Sequence, residues 1–303
     1  MNAKSTMVPP ARIVVVGLGN MGVPMGACLV RAGYAVVGFD AAKAARQRFV
    51  AAGGAVANTL AAAVSTAALV ATILPNGKVV RDVVQAMRAH LRPGCMIVDM
   101  SSSDPVGTRA LGEDLIAAGF EFADAPVSGG VRRAADGSLA IMVGGASATV
   151  ECIEPVLKAL GRVIFRTGAL GSGHAMKALN NYVSAAGLVA AVEAIAIGRR
   201  FGLDPALMTD ILNASTGRNN STEVKLKQFI LSETFNAGFP LRLMAKDVRT
   251  ADDLAHAVGV AAPLADAVAA LWDAAARDLP DGVDHTAVGR YLDRLPVHAP
   301  AKR

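Results

Sequence analysis

Short runs of aliphatic, β-branched residues alternate with helix-like stretches over the first half of the chain. Apolar residues recur at helical spacing in Asn20 to Ala32 and in Val79 to His90. Such alternation is typical of a mostly parallel, doubly wound sheet with helices on both faces. We therefore expect an α/β domain over residues 1–170. Its predicted strands are Ile13 to Val16, Tyr34 to Phe39, Leu69 to Leu74, Met96 to Met100, Glu121 to Ala125, Leu139 to Val143 and Val163 to Arg166.

The strand signals stop after Gly171. A proline-free helical pattern from Gly173 to Phe201 comes first, and further helical blocks follow it. Asp204 before Pro205 has the residue types of a helix start. We therefore predict an all-α domain over residues 171–303, beginning with a long inter-domain helix. The later blocks are Pro205 to Asn213, Glu223 to Leu231, Leu241 to Val258, Pro263 to Arg277 and His285 to Arg294.

The composition favours a large apolar core. Of 303 residues, 53% are hydrophobic and only 18% are charged, which excludes long disordered segments. The net charge is +5, but no run of Lys and Arg is longer than two residues, and only 4% of residues are aromatic. Nucleic acid would need a basic patch or stacking rings. We expect a small anionic ligand and no nucleic acid.

The cysteines and the apolar stretches bear on the cellular compartment. Cys28, Cys95 and Cys152 are widely spaced in hydrophobic surroundings, which is typical of buried reduced thiols. The five histidines show no metal-ligand spacing, so no metal site is predicted. Met1 to Ala11 lacks the apolar stretch of a signal peptide, and Thr59 to Leu74 is shorter than a membrane span. These features predict a cytoplasmic protein without a membrane partner.

A glycine-rich turn follows the first strand. The segment Gly17-Leu18-Gly19-Asn20-Met21-Gly22 leads from Val16 into a helical pattern, which is the context that a dinucleotide fingerprint requires. Gly17 permits the tight turn, Gly19 lets the backbone approach a pyrophosphate, and Gly22 lets the helix pack on the strand. The pyrophosphate would lie at the helix N-terminus. The alternative is a tight turn without a ligand.

Asp40 closes the second strand, eighteen positions after Gly22. A carboxylate there accepts hydrogen bonds from the adenosine ribose hydroxyls and repels a 2′-phosphate. The chain therefore predicts NAD rather than NADP, although Lys43 and Arg46 leave NADP open. The alternative is that Asp40 is the N-cap of the next helix, a role that does not exclude a contact with the ribose.

Four segments in chain order resemble the β-hydroxyacid dehydrogenase family, which includes 3-hydroxyisobutyrate dehydrogenases and tartronate semialdehyde reductases. They are Gly17 to Met25, Asp124 to Gly130, Gly173 to Asn181 and Lys246-Asp247. The resemblance extends from Arg12 to about Leu295. It implies a Rossmann domain, a long inter-domain helix, an all-α domain and a homodimer or homotetramer. It also places Leu74, Pro75, Val79, Ser102 and Lys246 against the cofactor. The alternative for Lys246 is that it only forms an ion pair with Asp247.

Lys177 is the predicted acid/base. On a helix Gly173, Lys177 and Asn181 share one face, because they are spaced by four. A lysine exchanges a proton with a hydroxyl near neutral pH when burial and nearby positive charge lower its pKa from about 10.4 toward roughly 7 to 8. An ordinary solvated surface lysine is the alternative, which the family resemblance disfavours.

The segment Ser128-Gly129-Gly130 follows a predicted strand end. Backbone N–H groups without side chains, together with the Ser128 hydroxyl, are suited to a carboxylate. In the family that it resembles, this segment holds the acid group of the substrate and Asn181 orients it. The alternative is a flexible turn.

The loop from Ser215 to Asn220 resembles the Ser-Ser-Gly pattern of hydroxyisobutyrate enzymes up to Gly217 and then departs from it. It predicts either extra polar groups on the substrate or a capped loop. Taken together, the residues predict an NAD-dependent dehydrogenase of a small 3-hydroxy acid. A tartronate semialdehyde reductase working in the reverse direction and a non-catalytic NAD-binding sensor are the alternatives.

Overall fold

A mixed sheet with helices on both faces is built by the first half of the chain. The structure is a computed structural model and describes residues 6–296, so the first five positions of Met1 to Ala11 and the last seven of the chain lie outside it. Two compact units divide the chain, Met1–Lys177 and Ala178–Arg303. The predicted boundary between residues 170 and 171 stays a proposal.

Within residues 6–296, nine strands form the sheet of the first unit in the order β3-β2-β1-β4-β5-β6-β8-β7, with β9 beside β8. Strands β1 to β6 run parallel, whereas β8 is antiparallel to β6 and β7. The two-residue strands β3 and β7 are too short for a periodic sequence signal. The strands are β1 (Arg12–Val16), β2 (Ala35–Phe39), β3 (Ala55–Val56), β4 (Leu69–Thr72), β5 (Met96–Asp99), β6 (Glu121–Asp124), β7 (Val127–Ser128), β8 (Leu139–Gly144) and β9 (Gly161–Gly168).

Alternate residues of the central strand β1 enter opposite faces of the sheet. Ile13 and Val15 belong to one buried cluster, and Val14 and Val16 belong to another. Both clusters are covered by helices, which explains why the residues from Ile13 to Val16 are all apolar rather than alternating. The helices are α1 (Gly22–Arg31), α2 (Lys43–Ala51), α3 (Leu60–Val64), α4 (Gly77–Arg88), α5 (Pro105–Ala117), α6 (Gly130–Asp136) and α7 (Ser147–Leu160).

The second unit is helical, as predicted, and its core surrounds the fully buried Trp272. The predicted block Glu223 to Leu231 is not one continuous helix. It comprises the end of a short helix and the π-helical turn Leu226–Ile230. The helices are α8 (Ser172–Phe201), which begins in the first unit, α9 (Pro205–Ala214), α10 (Asn220–Val224), α11 (Leu241–Ala257), α12 (Pro263–Asp278) and α13 (Val288–Asp293), with a 3₁₀ turn at His285–Ala287. The predicted fold class, an α/β domain followed by an all-α domain, is confirmed.

Helix α8 is the one helix of the described residues that is long and apolar enough to cross a membrane. Core helices of globular proteins pass the same test. Six side chains of α8 belong to the buried core of the second unit, which identifies α8 as a core helix. These residues are Ala185, Leu188, Val189, Ala191, Val192 and Ile195.

A buried carboxylate fixes the first turn of α8. Asp124, the last residue of β6, is fully buried, and its Oδ1 accepts the Gly171 N–H at 2.7 Å. Its Oδ2 accepts the His174 N–H at 2.8 Å. Backbone N–H groups at a helix start have no intrahelical acceptor, so this carboxylate satisfies two such donors. The start of α8 is thereby tied to the carboxyl end of β6.

We expect Gly173→Ala to destabilise the protein by roughly 1–3 kcal/mol. A Cβ at this position would overlap the Met142 carbonyl oxygen and lie 2.8 Å from Asp124 Oδ2. Urea unfolding monitored by circular dichroism measures the change. Gly187→Ala, on the same helix, is the matched control, because its Cβ would meet Asn219 at an ordinary 3.5 Å. Equal stabilities of the two variants would contradict the close packing at Gly173.

Candidate active site

The glycine-rich turn between β1 and α1 is closed on one side and open on the other. A Cβ at Gly17 would overlap the carbonyl oxygen of Ile73, and one at Gly22 would overlap that of Gly17. A Cβ at Gly19 would have no heavy atom within 4 Å. Met21, the residue before α1, makes no side-chain cap. The open backbone at Gly19 and the uncapped helix start fit a pyrophosphate group.

Asp40 joins the end of β2 to this turn. Its Oδ2 accepts the Leu18 N–H at 2.8 Å, and its Oδ1 accepts the Ala42 N–H at 2.8 Å. The N-cap of α2 is Ala42, so Asp40 does not occupy that position. The guanidinium of Arg46 donates to the backbone oxygens of Asp40 and Ala41, at 2.5 and 3.2 Å. Each carboxylate oxygen keeps a further lone pair with which to accept a ribose hydroxyl.

The loops after β4 and β5 meet at the carboxyl edge of the sheet. Leu74 N donates to Ser101 Oγ at 2.9 Å, and Asn76 caps α4 by accepting the Val79 N–H at 3.0 Å. Pro75 is exposed, whereas Ser102 is half-buried beside Ser101. The predicted cofactor residues Leu74 and Pro75 therefore lie in the loop that leads to α4, and Val79 lies in the first turn of α4. The loop is bonded to the one that carries Ser102.

Asp99, at the end of β5, accepts hydrogen bonds from residues of that second loop and from β4. Its Oδ1 accepts the Thr72 hydroxyl at 2.9 Å and the Ser101 N–H at 3.0 Å, and its Oδ2 accepts the Ser103 hydroxyl at 2.7 Å. All four residues are buried. Sequence reasoning did not identify this network, because it links loops that are distant in the chain.

His174 lies between two buried carboxylates. Its Nε2 is 3.7 Å from Asp99 Oδ2, and its Nδ1 is 3.9 Å from Asp124 Oδ2. The Thr108 hydroxyl donates to the Asp104 carbonyl at 2.8 Å, which leaves the oxygen of Thr108 to accept from Nδ1 at 2.8 Å. Burial raises the pKa of Asp124 despite the nearby imidazole. His174 is therefore a hydrogen-bonding residue of the first unit.

Ser128, Gly129 and Gly130 connect β7 with α6: Ser128 ends the strand, Gly129 is the N-cap, and Gly130 begins the helix. Gly129 has φ 134° and Gly130 has φ 69°, a region that favours glycine. A Cβ at Gly129 would lie 2.6 Å from Arg133 Cδ, whereas one at Gly130 would have no heavy atom within 4 Å. The half-buried Ser128 precedes an open stretch of backbone. The positive φ values explain why glycine occupies both positions.

Lys177 is half-buried on α8, three residues after His174. The anchoring of Gly171 and His174 by Asp124 thus lies within two helical turns of Lys177. These hydrogen bonds hold the backbone that leads to Lys177.

Asn181 is held by a carboxylate of the second unit. Its Nδ2 donates to Asp247 Oδ2 at 2.5 Å, and both side chains are buried. Asp247 Oδ1 pairs with Lys246 Nζ at 2.8 Å. Lys246 and Asp247 therefore form the ion pair that the sequence left open. A contact between Lys246 and the cofactor remains a proposal. The contact with Asn181 was not predicted, since 66 residues separate the partners.

The loop Ser215 to Asn220 contains a capping box. Asn219 Oδ1 accepts the N–H groups of Ser221 and Thr222 at 2.8 and 3.2 Å, and Thr222 Oγ1 accepts the Asn219 N–H at 2.9 Å. The capped-loop interpretation of Asn219 agrees with this geometry.

Comparison with known proteins identifies the family. A family model for the NAD binding domain of 6-phosphogluconate dehydrogenase matches residues 12–168. A second model, NAD-binding of NADP-dependent 3-hydroxyisobutyrate dehydrogenase, matches residues 171–292. The chain belongs to the β-hydroxyacid dehydrogenase family. It is an NAD-dependent oxidoreductase acting on CH–OH groups, as predicted.

Individual members of the β-hydroxyacid dehydrogenase family resemble most of the chain. The structure of Mycobacterium tuberculosis 3-hydroxyisobutyrate dehydrogenase with L-serine has a TM-score of 0.88 and 36% identity, and covers 94% of this chain and 99% of that one. The 2-(hydroxymethyl)glutarate dehydrogenase of Eubacterium barkeri is 35% identical over 78% of this chain and 80% of its own. The NAD-dependent L-serine dehydrogenase of Pseudomonas aeruginosa is 33% identical over 86% of this chain and 91% of its own.

We expect kcat/KM to favour NAD over NADP by about 10- to 1,000-fold, because Asp40 opposes a 2′-phosphate. Asp40→Asn should narrow that preference by removing the repulsion. Initial rates with both cofactors measure it, and Asp82→Asn on the exposed side of α4 is the control. Equal efficiency of the unaltered protein with NAD and NADP would show that Asp40 does not select the cofactor.

Proposed function

We propose that the protein oxidises a small 3-hydroxy acid of the form HO–CH₂–CHR–COO⁻ to its semialdehyde. The names of the three relatives support this class of substrate, since 3-hydroxyisobutyrate, L-serine and 2-(hydroxymethyl)glutarate share this skeleton and differ in R. The shared part contains one reacting hydroxyl and one carboxylate. A substrate similar to 3-hydroxyisobutyrate is the specific proposal.

The open turn at Gly130 is the observation that carries the proposal. An added Cβ there would meet no heavy atom within 4 Å, so a ligand can approach the backbone. Backbone N–H groups of Ser128, Gly129 and Gly130, with the Ser128 hydroxyl, would hold the carboxylate through charge-assisted hydrogen bonds. A neutral group would gain much less from such donors.

In the family that the sequence resembles, Asn181 orients the acid group of the substrate, and we propose that role for it here. Its Nδ2 donates to Asp247, and its Oδ1 accepts from Asn180 Nδ2 at 3.1 Å. Two partners fix the rotation of the amide, so the second N–H of Nδ2 has a defined direction. We infer that Asp247 is a positioning residue for Asn181.

Lys177 would take the hydroxyl proton. Bound NAD supplies the acceptor for the hydride that leaves carbon 3 of the substrate. A neutral Lys177 amine accepts the proton as the carbonyl forms, and its ammonium form returns a proton in the reverse reaction. The first turn of α8, anchored on Asp124, keeps this amine on a rigid support.

Reduction of tartronate semialdehyde or a related aldehyde is the second candidate, because the same residues serve both directions. The Ser215-Thr216-Gly217 sequence favours a hydroxyisobutyrate-like acid over it. A non-catalytic NAD sensor is the candidate of another class. Turnover of any 3-hydroxy acid would exclude the sensor.

The assembly and the compartment are also proposals. We expect a homodimer or homotetramer, since α8 exposes Val183, Ile197 and Phe201 to 67%, 70% and 84%. A cytoplasmic location is supported by Cys28, Cys95 and Cys152, which are buried free thiols. Burial raises the pKa of Cys95 to about 11. Such a thiol is unreactive and suits a structural role.

Lys177→Ala should lower kcat by about two to four orders of magnitude, the usual contribution of a positioned proton-transfer group. NAD affinity should stay near its original value, because the phosphate turn is unchanged. Lys177→Arg should be nearly as inactive, since a guanidinium stays protonated. Steady-state kinetics and cofactor titration measure both effects, with Lys227→Ala, an exposed partner of Asp210, as control. A fully active Arg variant would assign the proton transfer to another group.

The amide or methyl ester of a good substrate should lose roughly a hundredfold in kcat/KM, because it lacks the charge that the Ser128 to Gly130 donors recognise. Absorbance of the reduced cofactor measures the rates. A change of R between acids of the same skeleton is the control and should cost less. Comparable rates for the acid and its neutral analogue would show that this turn does not bind the substrate carboxylate.

A further inference from the structure

Three side chains with metal-ligand chemistry converge on two helices of the second unit, apart from the residues assigned above. Asp252 and His256 stand four residues apart on α11, and Asp266 lies in the first turn of α12. Residues at i and i+4 share a helix face. One donor atom of each side chain lies within 4.8 Å of those of the other two.

The Asp252 carboxylate has one oxygen without a hydrogen-bond donor. Only 2% of the side chain is exposed, and its Oδ2 accepts from Arg249 Nη1 at 2.5 Å. Its Oδ1 is fully buried and meets no donor among residues 6–296. That oxygen lies 4.0 Å from His256 Nδ1, inside the cluster. A buried carboxylate oxygen without a hydrogen-bond donor costs free energy, which a bound cation would offset.

His256 is oriented as a ligand. Its Nδ1 is 3.1 Å from the Asp252 carbonyl oxygen, so Nδ1–H donates and the Nε2 lone pair stays available. Nε2 lies 3.7 Å from Asp266 Oδ1. Zinc bound to nitrogen and oxygen at about 2.0–2.2 Å in a tetrahedron separates its ligands by roughly 3.3–3.6 Å. The observed separation is close to that value.

The local charge also favours a divalent cation. Arg249 Nη2 pairs with Asp273 Oδ2 at 2.6 Å, so one guanidinium serves both Asp252 and Asp273. Asp266 adds a third carboxylate to this group. Three carboxylates against one guanidinium leave an excess of two negative charges when all are ionised.

We propose that Asp252, His256 and Asp266 bind one divalent transition-metal ion, for which Zn²⁺ is the best fit. One imidazole and two carboxylates are a ligand set that Zn²⁺ accepts, with a fourth position for water. His256 and Asp266 are 66% and 58% exposed, so an ion can enter from solvent. The ion would tie α11 to α12 and thus stabilise the helix that carries Lys246 and Asp247. Histidine and cysteine spacing does not indicate this site, because two of its ligands are carboxylates on separate helices.

The test uses the full chain without an affinity tag, stripped with a chelator and dialysed against Zn²⁺. We expect one equivalent of Zn²⁺ per chain and a higher midpoint of thermal unfolding with Zn²⁺ than without it. Co²⁺ in place of Zn²⁺ should give the visible absorption of a tetrahedral site. Binding well below one equivalent would overturn the proposal and leave a shared proton between Asp252 and Asp266 as the explanation of their contact.

Two exposed ligands provide variants that keep the buried Arg249 pair intact. His256→Gln and Asp266→Asn should each weaken Zn²⁺ binding at least about tenfold and therefore reduce the thermal shift. Asp252→Asn should do the same if it folds. His90→Gln, an exposed histidine of the first unit, is the control and should bind like the unaltered protein. Unchanged Zn²⁺ affinity of His256→Gln, or an equal loss in His90→Gln, would place the bound ion elsewhere and overturn the proposal.

Discussion

The buried carboxylate of Asp124 is the constraint on which the candidate site depends. It ends β6, it is shielded from solvent, and it accepts the N–H groups of Gly171 and His174 at the start of α8. The positive end of a helix favours a negative charge, and a buried charge needs such partners. Because Lys177 follows in the next turn, the sheet edge determines where this lysine stands.

A second carboxylate extends the same principle to the cofactor loops. Asp99 is the register partner of Asp124 on the neighbouring parallel strand. It binds Thr72, Ser101 and Ser103, and His174 lies between the two carboxylates. The ends of β4, β5 and β6 and the start of α8 therefore form one buried polar network. Movement of one loop would leave charged groups without partners, so the network favours a single arrangement of the unit.

The sequence predicted local features more completely than long-range ones. The glycine turn and the helix from Gly173 to Phe201 follow from residue types at fixed spacing, and the structure has both. Strand β3 has two residues, which is below the length at which periodicity is visible. The π-helical turn at Leu226–Ile230 differs from an α-helix by one hydrogen-bond step, to which the apolar pattern is insensitive.

The partners of the site residues were beyond the reach of the sequence. Asn181 was predicted from its place on a helix face, but its bond to Asp247 spans 66 positions. The contacts of His174 with Thr108, Asp99 and Asp124 depend on which strands are neighbours in the sheet. The cluster of Asp252, His256 and Asp266 depends on the packing of α11 against α12, which the sequence pattern does not reveal.

The central claim is that carbon 3 of a 3-hydroxy acid gives up hydride to NAD in this protein. Isotope tracing tests it most directly, with an acid of the form HO–CD₂–CHR–COO⁻ and NAD, and mass spectrometry of the reduced cofactor. The account predicts one deuterium per NADH formed and a slower hydride step in single turnover than with the unlabelled acid. NADH that carries no deuterium would show that the hydride comes from another position, and would contradict the account.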